Sequence, residues 1–108
     1  MFARTVSMRL KANAVSDFNR TIENDVNPIL RQRKGFQHEI VLVTPNGAEA
    51  IGISIWDTKD SAEEYNREAY PQVQRLLSKV TEGTPLVQTY DVPISTILQK
   101  SARGGGGA

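Results

Sequence analysis

Residues 36–56 read FQHEIVLVTPNGAEAIGISIW, two apolar-rich runs on either side of Thr44-Pro45-Asn46-Gly47. Asn-Gly readily takes the positive φ angles of a tight turn, so the stretch predicts a hairpin of two strands, Phe36 to Val43 and Ala48 to Trp56. A two-residue turn at Asn46-Gly47 sets the pairing. One face then carries Phe36, His38, Ile40 and Leu42 with Ile51, Ile53 and Ile55. The other carries Gln37, Glu39, Val41 and Val43 beside Ala50, Gly52, Ser54 and Trp56. The isoleucine-rich face reads as the helix-covered core, and the small, mixed face with its one large aromatic reads as the open side. A three-residue loop with a bulge at Gly47 would shift this pairing.

Working outward, Phe2 to Lys11 alternates as a half-buried strand. Phe2, Val6, Met8 and Leu10 share one face, with Arg4 as the exception among them. A helix follows, with Ser16 as its N-cap and a stripe of Phe18, Ile22, Val26, Ile29 and Leu30. Pro28 interrupts it and predicts a kink or a restart with the proline in a first turn. Gly35 supplies the stop. On the far side of the hairpin, Asp60 and Glu63 have the spacing of an acidic capping box opening a second helix. Its stripe is Ala62, Tyr65, Ala69, Val73, Leu76, Leu77 and Val80, divided in two by Pro71 and ended by Gly83. Pro85 to about Val92 is the last strand.

The order β-α-β-β-α-β predicts an α+β, ferredoxin-like domain over residues 1–98: a four-stranded antiparallel sheet with two helices on one face. Right-handed crossovers put both helices on the same side. The other side stays open, and an apolar patch there calls for a partner, so a homodimer through the open sheet face is expected. Residues 99–108, ending in Gly104 to Gly107, have nothing to pack and read as a flexible Gly-rich tail.

Composition excludes several classes. The absence of cysteine removes disulfides, thiolate metal sites and cysteine nucleophiles, and with a single histidine there is no metal constellation. No cofactor is expected. A net charge of +1 with dispersed basic residues is not the footprint of a nucleic-acid or membrane-surface binder. An RNA-binding domain of the same element order would need stacking aromatics on its central strands, and the third strand has none before Trp56. No basic region followed by an apolar run opens the chain, and no stretch is long and apolar enough to span a bilayer, which predicts a cytoplasmic protein.

The run Ile53-Ser54-Ile55-Trp56-Asp57-Thr58-Lys59-Asp60-Ser61-Ala62-Glu63-Glu64-Tyr65-Asn66 resembles the strand-to-helix passage of the antibiotic-biosynthesis-monooxygenase (ABM) domains. So do Pro28-Ile29-Leu30 before Lys34-Gly35-Phe36, and Tyr70-Pro71 within the second helix. The resemblance covers roughly residues 2 to 95. It implies a dimeric α+β barrel with a pocket between sheet and helices in each protomer. Some members oxidise aromatic substrates with molecular oxygen and neither metal nor flavin. Others degrade haem with an Asn on the first strand, a Trp near the third and a His on the second helix. Of these only the Trp is matched, by Trp56. The cofactor-free branch relies on Asn, Trp, Tyr and Arg near its pocket, kinds that Trp56, Asn66, Tyr65, Tyr70 and Arg9 supply.

Trp56, Glu39 and His38 are therefore the candidate catalytic residues: an aromatic wall, a carboxylate base and the sole imidazole. Trp56, Tyr65, Asn66, Tyr70, Ser7 and Arg9 are the candidate substrate-binding residues. Each has a plainer reading. Trp56 can be an interface aromatic, His38 a hydrogen-bonded structural residue, Glu39 or an arginine an ion-pair partner, and the tyrosines can be packing. Two functions follow. One is a cofactor-independent monooxygenase of the ABM type acting on a small phenolic or quinol compound. The other is a non-catalytic dimeric protein that binds a small aromatic or apolar ligand.

Overall fold

Four strands build the sheet of the computed structural model, which describes residues 1–97. They are β1 (Phe2–Leu10), β2 (Phe36–Val43), β3 (Glu49–Trp56) and β4 (Thr81–Asp91), in the spatial order β2-β3-β1-β4 with every neighbour antiparallel. Two helical crossovers cover one face, as the element order requires. The tail expected over 99–108 and the end of the expected domain at 98 lie outside the described residues. Among the described residues no helix is long and apolar enough to cross a membrane.

The first crossover contains α1 (Val15–Thr21), a π-helical turn (Ile22–Val26) and α2 (Asn27–Arg31). Phe18, Ile22, Val26 and Leu30 are all buried. They recur every four residues, whereas an α-helix turns once in 3.6, so a straight α-helix would swing this stripe progressively off the sheet. The wider π turn brings it back, marked by the Asn27 N–H donating to the Ile22 carbonyl. Pro28 then sits in the first turn of α2, as its missing N–H allows. Ser16 is not the cap: the helix starts at Val15 after Ala14, with no side-chain cap.

The second crossover divides at Ala69 into α3 (Lys59–Glu68) and α4 (Tyr70–Leu77), with Pro71 in the first turn of α4. Its cap is Thr58, whose hydroxyl accepts from the Ser61 N–H at 3.1 Å, rather than Asp60. Gly83 does not end the helix. It lies inside β4 at φ +68°, where β4 shifts register against β1 between Ser7 and Arg9, so the strand starts four residues earlier than expected.

The hairpin pairing is the one expected: His38 opposite Ile55, Ile40 opposite Ile53, Leu42 opposite Ile51. The connection is longer, closed by Thr44 N–H to the Glu49 carbonyl at 2.9 Å, with Asn46 Oδ1 accepting from Ala48 N–H at 3.0 Å. A bulge between Phe36 and His38 turns Phe36 to pair with Trp56 instead. The faces, however, are reversed. Trp56 (0% exposed), Ala50 (2%) and Ser54 (7%) lie under the helices, while Ile40 (42%), Leu42 (49%) and Ile51 (38%) face outward. Trp56 is therefore a core residue and not part of an open patch. Glu39 points under the helices, and His38 is exposed on the open face.

Candidate functional site

Under the helices the sheet presents successive cross-strand rows. Phe36, Trp56 and Phe2 make an aromatic row, and Val41, Gly52 and Val6 a small aliphatic one. Between them runs a polar row of Glu39, Ser54, Arg4 and Thr89, one residue from each strand. Strands lie about 4.8 Å apart, so the Glu39 and Arg4 backbones are roughly 10 Å apart and their long side chains reach into one space.

That space is a chamber of about 40 Å³ whose walls include Arg4, Glu39, Gly52, Ser54, Tyr65 and Tyr70. It has room for about one water molecule. Arg4 also lines an outer cleft of about 180 Å³ between α3 and β4. Glu39 lines another of about 170 Å³ beside the π turn, together with Asn27 and Arg31.

Arg4 is only 3% exposed. Its Nη2 donates to Asn66 Oδ1 at 2.7 Å, and its guanidinium carbon lies 4.0 Å from the Tyr70 ring centre and 5.4 Å from that of Tyr65. The ion pairs among the described residues are Arg20–Asp17 and Arg33–Glu68, so no carboxylate neutralises Arg4. Burial lowers its pKa, which the neighbouring tyrosines partly offset, yet a guanidinium stays charged.

Tyr65 stacks between its aromatic neighbours, 5.0 Å from Trp56 and 6.3 Å from Tyr70 between ring centres. Burial pushes the Tyr65 phenol up to about 12. It also raises Tyr70, against the pull of the Arg4 charge and hydrogen bond. Both hydroxyls are neutral groups at ordinary pH. Trp56 is fixed in turn by its Nε1 donating to Ser54 Oγ at 2.9 Å.

Glu39 is the titrating group. Burial raises its carboxyl to about 7, opposed by the charge of Arg31. A carboxyl poised near neutrality in a chamber has the property a general base needs. Nearby, Asn27 Oδ1 at the end of the π turn is buried with no hydrogen-bond donor among the described residues. Among those residues no three His, Cys, Asp or Glu side chains gather as metal ligands would.

The structure thus brings Trp56, Tyr65, Asn66, Tyr70 and Glu39 to one side of the sheet. Ser7, Arg9 and His38 lie on the other side, aligned with the outward Ile51, Glu49 and Ile55. Ser7 and Arg9 line an open groove of about 440 Å³ there. Arg4 is a lining residue that was not among the candidate site residues read from the sequence. The signal was its place in the alternation: a cation at the one core-facing position of β1 that is not apolar.

The fold defines a class: ferredoxin-like α+β domains with the architecture of the ABM proteins. No family model and no curated protein matches the sequence; the likeness is to solved structures. A cofactor-independent oxygenase from Streptomyces nogalater, SnoaB, superposes with a TM-score of 0.72 at 10% identity, covering 88% of this chain and 95% of its own. The ActVA-Orf6 monooxygenase of Streptomyces coelicolor, solved with nanaomycin D, gives 0.68 at 15% identity over 87% of this chain and 88% of its own. A Nitrosomonas europaea protein provisionally named an antibiotic biosynthesis monooxygenase gives 0.71 at 12% identity, covering 87% of this chain and all of its own.

Proposed function

We propose that this protein is a monooxygenase that oxidises a small phenolic or quinol compound with molecular oxygen, using its own side chains and the reactivity of the substrate. The observation that carries this reading is the polar row. It sets a carboxyl with a pKa of about 7 and an uncompensated guanidinium at two ends of one chamber, beside Trp56, Tyr65 and Tyr70. Glu39 takes the phenolic proton. The resulting phenolate is stabilised by Arg4 and held against the aromatic wall. Electron-rich phenolate then reduces oxygen and adds it at ring carbon, and loss of water leaves the quinone. For a phenol with hydrogen para to its hydroxyl the balance is phenol plus O₂ to quinone plus water.

Oxygen uptake tests this directly. With a panel of phenols and naphthols, uptake is expected to rise with pH through about 7, following the Glu39 carboxylate. In Glu39→Gln it is expected to fall by about 10²–10⁴, the range for loss of a general base. No uptake with any member of the panel would sink the reading. The alternative is a binder without turnover; in either reading the chamber of about 40 Å³ must widen before a ring enters. Tight ligand binding without oxygen uptake would select it.

The open face supports the second part of the proposal, a homodimer. Ile40, Leu42, Ile51, Leu86 and Tyr90 are all more than a third exposed on it. An apolar sheet surface of this kind is self-complementary about a twofold axis, and a second copy is the occupant that buries every one of these residues at once. In that arrangement Ser7 and Arg9 become interface residues. A cytoplasmic setting is part of the same proposal and rests on the absence of cysteine.

A further inference from the structure

Among the described residues the buried Arg4 guanidinium meets neutral partners, Asn66 and two tyrosine rings. Removing an ion from water is costly, and stacking on an aromatic face returns only part of that cost. A positive charge remains to be matched. The outer cleft that Arg4 lines has apolar walls from Phe2, Ala62 and Val87, with Thr89 also in its lining and Asn66 on the guanidinium. Lys59 and Glu63 stand in its lining and cancel each other, so Arg4 gives the cleft its net charge of one positive unit. Its volume is about 180 Å³, and a cavity of about 150 Å³ is enough for one benzene ring.

We propose that this cleft is a binding site for a single-ring aromatic carboxylate, its carboxylate on Arg4 and its ring between Phe2, Ala62 and Val87. The cleft shares only Arg4 with the chamber that Glu39 lines, so this inference goes beyond the oxygenase reading, and binding here does not depend on turnover. Arg4 presents paired N–H donors that match a carboxylate. Asn66 now offers Oδ1 to Arg4; rotated about its last bond, the same amide offers its NH₂ to the ligand instead. Because Asn66 is itself exposed, the exchange needs no repacking of the core.

Benzoate, 4-hydroxybenzoate and the neutral isostere benzamide distinguish the charge from the ring. Titrated into the full-length protein and followed by calorimetry and backbone amide NMR, benzoate is expected to bind at least about tenfold tighter than benzamide, with shifts centred on residues 2–4, 59–66 and 87–89. Asn66→Asp places a permanent carboxylate against Arg4 from an exposed position and is expected to weaken benzoate at least about tenfold. Arg4→Met should abolish the preference for benzoate over benzamide. Equal binding of the two ligands overturns the proposal. So does benzoate binding that survives Asn66→Asp unchanged, or shifts confined to the open sheet face. Oxygen uptake with neutral phenols but no benzoate binding defeats this inference and leaves the oxygenase reading intact. Benzoate binding at the cleft, with no uptake on 4-hydroxybenzoate or on any phenol, upholds the inference and defeats that reading.

Discussion

Replacing Glu39 by Gln isolates the cost of the buried carboxylate. The Glu39 pKa stands at about 7 against an ordinary 4.5. At about 1.4 kcal/mol per pH unit this difference is roughly 3 kcal/mol for a group wholly removed from water. Glu39 is only half-buried, and solvent screening reduces the figure to ~1–2 kcal/mol. The sign follows from the direction. A raised pKa means that the folded protein holds the proton more tightly, so the stabilisation is complete below about pH 4.5 and is lost as pH rises to about 7. Glutamine mimics the protonated acid and does not titrate. Glu39→Gln is therefore expected to match the parent near pH 4.5 and to exceed it by ~1–2 kcal/mol at pH 8. In a domain this small that is roughly 5–10 °C in Tm. Urea unfolding of both proteins at fixed concentration, across pH 4.5 to 8, measures the difference, and common titrations elsewhere cancel. A difference that does not change with pH would show that Glu39 ionises as freely in the folded chain as in the unfolded one, and the general-base assignment would fall with it.

Two further tests address the aromatic wall and the open face. Trp56 is fully buried and its Nε1 is hydrogen-bonded to Ser54, so its native fluorescence should resist quenching by acrylamide. Trp56→Phe should cost about 1–3 kcal/mol from the lost bond and the space left behind; ready quenching in the native protein would contradict the burial. Ile51→Lys on the outward face is expected to convert a dimer to a folded monomer, read by light scattering with circular dichroism as the control. A dimer that survives would place the interface elsewhere.

The hairpin shows what alternation can and cannot decide. Its register followed from Asn46-Gly47, because closing the loop one residue pair further out leaves the same residues opposite one another. Which face meets the helices did not follow. The two choices differ by a side-chain flip, and isoleucines look like core when only one chain is considered. They face outward, and the face with the smaller residues lies under the helices. That face carries Ala50, Gly52 and Ser54, and Phe18, Tyr65 and Tyr70 from the helices are buried in the same core. The same inversion separated the candidate site. Trp56, Glu39, Tyr65, Asn66 and Tyr70 share one side, and His38, Ser7 and Arg9 the other. Pro28 signalled a break in the first helix, but the form of that break, a π turn, is written in the four-residue spacing from Phe18 to Leu30. Arg4 was legible as an exception on β1; its partners, some 60 residues away on the second helical crossover, were not.

Among the described residues three features of the core lower stability, and all lie on the same side of the sheet: a guanidinium with neutral partners, a carboxyl with a raised pKa and an amide oxygen with no donor. A core shaped by packing alone would carry apolar residues at these positions, since exchanging buried charges for hydrophobes of similar size is often neutral or stabilising. Sites kept for function show the opposite economy, with activity retained against stability. The double variant Arg4→Met, Glu39→Gln tests which economy applies. Methionine fills the volume of the guanidinium stem and gives up its stacking on Tyr70, about 1–2 kcal/mol, while relieving a desolvation cost of several. Together with the gain at Glu39, the variant should be at least as stable as the parent at pH 8 by urea unfolding, and it should lose both benzoate binding and oxygen uptake. If it is instead less stable by more than about 2 kcal/mol, Arg4 and Glu39 hold the fold together through the contacts of their own side chains. The polar row would then be a structural bridge between sheet and helices, and the site would have to be sought elsewhere.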